Sequence, residues 1–316
     1  MKKSQNPQKA IEVGRFITEK NFQAQTEAYQ AAYPEFPDSF QISRELFEEV
    51  LFSAPAIKGI RFMHGLKDSK NPASMLLFLI PCTNTSEYDM ASKALLQEGG
   101  YYDSNGKIHS LKEIAQLMSN YVQHIVERDS QAVYKKVIRG NFFGKEKLEN
   151  LLDDTDCAFI QYYMGMKVGL VKGLMNKLNV QHEAYDQVFL NFPRPCPTSC
   201  PGPGPGTGGE DCFTTLSAQA QSQETELDFY RSFRDKELLK YEKGAMLYEM
   251  YYFISPLIAS LIKGKANSQT ILTKIYLDKM VPFKQLLLTK QYQKAVYLLE
   301  DSLDEMAREY AAEKLY

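Results

Sequence analysis

The chain has 316 residues, 44% of them hydrophobic and 24% charged, with a formal net charge of −2. That composition excludes wholesale disorder and collagen-like repeats, and the near-neutral balance leaves no global electrostatic reason to bind nucleic acid. A chain longer than the roughly 250 to 300 residues at which single cores stop growing predicts two domains.

The N-terminus, Met1-Lys2-Lys3-Ser4-Gln5-Asn6-Pro7, carries two lysines but runs into a polar segment without an apolar core of signal-peptide length, which predicts cytoplasmic residence. Val13, Phe16, Ile17, Ala24 and Ala28 fall at helical spacing, so residues 8–30 read as a helix that Pro34 and Pro37 stop. Ser43 is the expected N-cap of a short helix through Leu51. Gly59 to Gly65 has strand character, and the apolar run Met75 to Ile80, ending at Pro81-Cys82, reads as a buried strand.

About a hundred positions later the pattern recurs. Gly144 to Leu152 matches the helix and Phe159 to Lys167 the first strand, and Val188-Phe189-Leu190, leading to Pro195-Cys196, takes the place of the second. Phe47 and Leu148, Leu51 and Leu152, Ile60 and Ile160, Phe62 and Tyr162, and Gly65 and Gly165 occupy equivalent places, with one residue deleted in the second copy's turn. Two copies of such a unit are expected to pair their hairpins into one antiparallel sheet with helices on one face. Between the copies, Ile114, Met118, Tyr121, Val122, Ile125 and Ala132 predict a long amphipathic helix from near Ser110 that covers the sheet. Val171, Leu174, Met175 and Leu178 make Val168 to Val180 read as a helical insertion in the second copy.

The tract Pro201-Gly202-Pro203-Gly204-Pro205-Gly206 can hold neither a ladder nor a helix, so it reads as an extended connector. Beyond it helices are expected over Glu224 to Leu239, Lys243 to Lys263 with a break at Ser255-Pro256, Ser268 to Val281, and Gln291 to Leu315. The expected fold is thus an α+β N-terminal domain, with a duplicated helix plus β-hairpin unit forming an antiparallel sheet with helices, followed by an all-α helical bundle. Its parts are an N-terminal helix (1–40), the α+β domain (41–196, with repeats 43–82 and 144–196), a Pro/Gly linker (197–211) and the helical domain (212–316).

Cys212-Phe213 after the Gly-rich stretch, Arg231-Ser232-Phe233-Arg234-Asp235, and Tyr251-Tyr252-Phe253-Ile254-Ser255-Pro256-Leu257-Ile258-Ala259 together resemble the bacterial CFI-box C-terminal domain family. The resemblance covers about a third of the chain. Thr214 to Ala218 departs from the family's box, and the family brings no established activity; it implies modification or processing at Cys212 as an expectation. The N-terminal half resembles uncharacterised bacterial proteins with a Cys-Pro-x-x-Cys ending.

Five cysteines, with Cys82 and Cys157 in ordinary apolar contexts, do not make a disulfide framework, so reduced thiols are expected. Cys196, Cys200 and Cys212 with His182 have the donor types that suit zinc. A single Cys-x3-Cys lacks the second paired knuckle of most structural zinc sites, so unligated loop thiols are the preferred reading and no cofactor is expected. Glu210 and Asp211 beside Cys212 would raise its pKa and disfavour a thiolate nucleophile. His64, His109, His124 and His182 show no arrangement that nominates a catalytic base, and His64 reads as a packed histidine. Gly165-Met166-Lys167-Val168-Gly169 lacks the ending of a phosphate loop. Asp235 one turn after Arg231 reads as a helical ion pair.

Met246 to Ile262 is apolar but falls short of a bilayer span and contains Pro256, which favours a buried helix. Lys263, Lys265, Lys274, Lys279, Lys284, Lys290 and Lys294 leave a peripheral membrane surface open as a partner; packing against the acidic final helix, from Glu300 to Glu313, is the competing account. A connector of about 30 Å from Pro201 to Asp211 suits joining partners better than building one shared active site. The leading expectation is a non-enzymatic scaffold or adaptor for protein partners. The alternatives are a cysteine-dependent enzyme or a protein modified at Cys212, and a peripheral membrane protein.

Overall fold

The computed structural model describes residues 12–53, 55, 57–82, 101–130, 132–134, 137–153, 157–167, 170–178, 189–191, 194–196, 217–221 and 226–312. In chain order these form β1 (Arg15–Ile17), α1 (Glu19–Ala32), β2 (Ser39–Ser43), α2 (Arg44–Leu51), β3 (Gly59–Leu66), β4 (Met75–Cys82), β5 (Tyr101–Asp103), β6 (Ile108–His109), α3 (Leu111–Arg128), β7 (Gly140–Gly144), α4 (Lys145–Leu152), β8 (Phe159–Lys167), β9 (Leu170–Leu178), β10 (Phe189–Asn191), β11 (Arg194–Cys196), α5 (Leu227–Lys236), α6 (Gly244–Lys263), α7 (Ser268–Ile275), α8 (Val281–Leu288) and α9 (Tyr292–Ala312). The chain falls into two compact units. The first is drawn from Met1–Met90, Tyr102–Ile108 and Ile138–Cys200, the second from Ala91–Tyr101, His109–Val137 and Pro201–Tyr316.

The first unit is built from two strand-helix-hairpin copies, β2-α2-β3-β4 and β7-α4-β8-β9, that exchange their leading strands. β2 of the first copy pairs antiparallel with β8 of the second, and β7 of the second pairs with β3 of the first. The registers are the same: Ser43 faces Phe159 as Gly144 faces Gly59, and Ser39 faces Tyr163 as Gly140 faces Met63. Backbone hydrogen bonds repeat the relation. Arg44 donates to the Ala158 carbonyl (2.9 Å) as Lys145 does to Lys58 (2.8 Å), and Met164 donates to Asp38 (2.7 Å) as His64 does to Arg139 (2.8 Å). The side chain of Arg44 crosses the same exchange, donating through Nη2 to the Leu152 carbonyl (3.1 Å) and through Nη1 to that of Cys157 (3.2 Å). A guanidinium suits the carbonyl-rich C-terminus of α4.

Because each copy's leading strand joins the other's hairpin, the strands form two antiparallel sheets, β1-β10-β9-β8-β2 and β11-β7-β3-β4-β5-β6, where the pattern predicted one. All eight residues of β3 and all eight of β4 are buried. Phe62 of β3 and Tyr162 of β8, equivalent positions of the two copies, stack with centroids 5.2 Å apart. Phe47 lies 6.2 Å and Phe143 5.9 Å from the ring of Phe62, so aromatic burial supplies much of this core. Two glycines permit the close approach: a Cβ on Gly140 would lie 2.2 Å from the Phe62 carbonyl oxygen, and one on Gly173 would lie 2.3 Å from the Tyr162 hydroxyl.

Three expectations for this half are corrected. The segment read as a helical insertion is β9, the second strand of a continuous hairpin with β8, in register from Phe159 opposite Leu178 to Lys167 opposite Leu170. Val171, Leu174, Met175 and Leu178 are buried because residues on both faces of β9 are buried, and a two-sided strand imitates helical spacing over so short a run. Phe189–Asn191 is therefore not the repeat's second strand; it is β10, paired with β9 and β1. The helix expected over 8–30 begins at Glu19, where Thr18 caps it by accepting the Asn21 N–H (3.4 Å). Gly14, at φ +122°, turns the chain before it, and Phe16 and Ile17 go into β1.

The second unit is helical. Ser110 caps α3 through the Glu113 N–H (3.2 Å). The principal helical partner of α3 is α6, so the amphipathic face expected to cover the sheet belongs to the helical unit. α6 runs unbroken through Ser255-Pro256, against the expected break. α9 packs on α6 and on α8. The segment expected as one helix over Ser268 to Val281 is α7 followed by a π turn, Tyr276–Met280, and then α8. Pro282 has no N–H to continue the ladder, which accounts for the change of helical pitch just before it. No helix among the described residues is long and apolar enough to cross a membrane.

Candidate functional site

Cys200, Cys212 and His182 lie outside the described residues, and Cys196 is placed only by its backbone, in β11 opposite Gly140. Cys82 and Cys157 are buried free thiols. Among the described residues no group of three or more His, Cys, Asp or Glu side chains is placed to hold a metal ion. His109 is buried and lies 2.9 Å from Glu113 one turn along α3.

His64 is central to the first unit and wholly buried. Its Nε2 is 3.5 Å from the Tyr162 hydroxyl, which also accepts from Asn141 Nδ2 at 3.2 Å. Burial lowers the imidazole's pKa from 6.5 to about 3, so it is neutral at physiological pH, and burial likewise raises the Tyr162 phenol far above its ordinary value, against a small opposing effect of Asn141. A neutral imidazole, a neutral phenol and a carboxamide packed in the core orient one another and hold the two sheets in register. This agrees with the expectation of a packed histidine.

In the second unit, Arg231 pairs with Asp228 (3.1 Å) and Arg234 with Asp235 (2.7 Å), which corrects the expected pair of Arg231 with Asp235. The physical reason is that Arg234 points inward, its guanidinium 5.1 Å from the Tyr252 ring centroid, and keeps Asp235 as its counter-ion. Lys279 pairs with Glu305, as packing of the lysine run against the acidic helix predicts. Glu300, however, takes Lys112 (2.6 Å) and Lys243 (2.9 Å) from outside that run, and Lys284 goes to Glu226.

A cleft lies elsewhere, beside β2, the last strand of its sheet among the described residues. Asp38 accepts from Met164 and Arg44 donates to Ala158 at the two ends of the β2–β8 ladder. Antiparallel alternation then makes Phe40 and Ile42 the residues bonded to β8 and turns the peptide groups of Ser39, Gln41 and Ser43 to the other side. Ser39, Phe40, Gln41 and Ser43 line a cleft of about 370 Å³, together with Phe159 of β8. Its far wall is Met75 and Leu76 of β4 with Ser104 and Asn105. Those last two are held by a tight turn. Asp103 Oδ1 accepts the N–H groups of Asn105 (2.9 Å) and Lys107 (3.1 Å), Gly106 sits at φ +80°, and the Ser104 N–H reaches the Leu77 carbonyl (2.8 Å). Among the described residues no charged side chain lines this cleft, which offers uncharged hydrogen-bonding groups beside apolar surface.

The equivalent edge in the other copy is filled. Gly140 and Phe142 of β7 face Cys196 and Arg194 of β11, and the Gly144 N–H donates to the Val13 carbonyl (2.8 Å). Sequence reasoning missed β2, although Ser39-Phe40-Gln41-Ile42 alternates with period two and Asp103-Ser104-Asn105-Gly106 is a turn signature. Five residues are too few for the alternation to stand out, and nothing local says that β2 pairs with a strand some 120 residues away. Scans against protein-family models, curated proteins and solved structures returned no match for this chain.

Proposed function

We propose that this protein is an adaptor that binds protein partners through its α+β unit, with the cleft beside β2 as the contact. The carrying observation is a cleft of about 370 Å³ beside β2, lined among the described residues by hydroxyl, amide and apolar side chains. Concave clefts that combine apolar surface with a few uncharged hydrogen-bonding groups are the common form of a recognition site. The chemistry of the lining supports binding over turnover: hydroxyls and amides beside Met75, Leu76 and Phe159 supply hydrogen bonds and apolar contact. Kinship of the helical unit with the CFI-box family is part of the same proposal. In its support, Arg234 of one quoted motif lies over Tyr252 of the other.

Photo-crosslinking tests this reading. With a photoreactive residue at Asn105 in the full chain, a protein partner is expected to crosslink there in cells and not from a control position at Glu127 on α3. Equal labelling from both positions, or none from either, refutes the adaptor reading.

A further inference from the structure

We infer that Ser104 sets the specificity of the cleft beside β2, and that the occupant is a peptide segment of the partner which places an uncharged hydrogen-bonding side chain, a carboxamide or a hydroxyl, against it. The inference deepens the adaptor reading and rests on it. Its basis is which hydrogen-bonding side chains of the lining are already engaged. Ser43 Oγ accepts the Leu46 N–H (3.3 Å) as the cap of α2, Ser39 Oγ donates to Asp38 Oδ1 (3.1 Å), and Gln41 makes an interaction of its own. Ser104 and Asn105 remain. Among the described residues their hydrogen bonds run through main-chain N–H groups alone, Ser104 to the Leu77 carbonyl (2.8 Å) and Asn105 to Asp103 Oδ1 (2.9 Å), which leaves the hydroxyl and the carboxamide to the cleft they line.

The two are not equivalent. Asn105 is exposed, so solvent competes for its amide, whereas Ser104 lines the cleft while only 6% exposed, and a hydrogen bond made there is sheltered. Its position is fixed from both sides, by its own N–H on Leu77 and by the turn that Asp103 Oδ1 closes on Asn105 and Lys107. A sheltered, fixed hydroxyl discriminates among side chains. A neutral polar group exchanges a hydrogen bond with it, and an apolar group of similar size leaves it unpaired. A charged group gives up its hydration with no counter-ion among the described lining residues, and Asp103 Oδ1 is already committed to the turn. Met75, Leu76 and Phe159 supply the apolar part of the same wall, so the residues flanking the polar one in the partner are apolar. A cleft of about 370 Å³ is ligand-sized, which suits a short segment over one isolated side chain.

The test uses the full chain and a phage-displayed library of random heptapeptides as the probe. Peptides selected on the wild type are resynthesised, and their binding to wild type and to Ser104→Ala is compared by fluorescence polarisation; unchanged circular dichroism and urea midpoint verify the variant's fold. The expected peptides carry Asn, Gln, Ser or Thr between apolar residues, and Ser104→Ala should bind them about tenfold more weakly, the loss of one sheltered hydrogen bond. Replacing the peptide's polar residue by Ala should weaken binding to wild type by a similar factor and add little further loss in Ser104→Ala, because the two changes remove one shared bond. The peptide series on wild-type protein tests the same point without any change to the fold. Failure of the library to yield a peptide overturns the inference, as do equal affinities for wild type and Ser104→Ala, losses that simply multiply in the double change, or selected peptides that require a charged residue. If the Asn105 crosslink to a partner persists undiminished when Ser104→Ala is added, the assignment of specificity to Ser104 fails and the adaptor reading stands; if no crosslink forms with Ser104 intact, the adaptor reading itself has failed.

Discussion

His64 makes the stability of the first unit depend on pH in a way that can be isolated. Burial holds its folded pKa at about 3, against 6.5 for the free side chain. Between those values the unfolded chain takes up a proton that the folded chain refuses, so unfolding stability rises with pH across the window and falls as acid is added. The limiting slope is about 1.4 kcal/mol per pH unit, and from about pH 7.5 down to about pH 5 the accumulated loss is about 2 kcal/mol. His64→Gln removes the titrating group and leaves the carboxylates, which titrate in both proteins and cancel in the difference. Hydrogen exchange of peptides spanning 59–66, followed as a function of urea at each pH, reads the opening of this unit alone. Wild type should lose about 2 kcal/mol relative to His64→Gln over that interval. A difference between the two proteins that stays constant from pH 7.5 to pH 5 would show that the imidazole is solvated or charged when folded, and the reasoning about the core would fail with it.

The neighbouring groups give further expectations. Tyr162→Phe strips Asn141 Nδ2 of its acceptor in a core where Asn141 Oδ1 has no hydrogen-bond partner among the described residues, and should cost about 1 to 3 kcal/mol in urea unfolding. Adding Asn141→Leu should restore part of that loss, because both polar partners are then gone; a double variant worse than the sum of the singles would contradict the pairing. Gly173→Ala puts a methyl 2.3 Å from the Tyr162 hydroxyl and 2.5 Å from its Cζ, and should cost about 1 to 3 kcal/mol by overpacking, seen as a lower urea midpoint at unchanged slope. In the helical unit, burial tends to raise the pKa of Glu300, but hydrogen bonds from Lys112 and Lys243 overcome this and hold it below its ordinary 4.5. Its contribution is therefore complete above that value and is lost as pH falls through the folded pKa. Glu300→Gln should cost about 1 kcal/mol at neutral pH, a reduced figure because both lysines are about half exposed, and the cost should vanish in acid.

Local pattern was enough for the elements whose neighbours in sequence are also their neighbours in space. Ser43 caps α2 as its side chain and position predict, Gly59–Leu66 and Met75–Cys82 form a hairpin, and the equivalence of Phe62 with Tyr162 holds in three dimensions as a stacked pair. Cap chemistry, buried apolar runs and repeat equivalence act over a few residues or are visible by comparing the chain with itself. The α+β half followed by helices was legible on those grounds.

Tertiary structure decided the rest. Val171, Leu174, Met175 and Leu178 satisfy a helix face and a doubly buried strand equally well, and only the ladder to β8 chooses between them. Nothing within either copy says that its leading strand will leave for the other's hairpin, because an edge peptide group bonds to whichever partner the packed core brings near. The same blindness hid the cleft: what lies beside a five-residue strand is a property of distant segments, here Met75 and Leu76 of β4 and the turn at Ser104-Asn105 for β2, and β11 for its twin β7. Composition and periodicity determined what could be buried and what could turn; the placement of strands far apart in sequence determined which strands pair and where the cleft beside β2 forms.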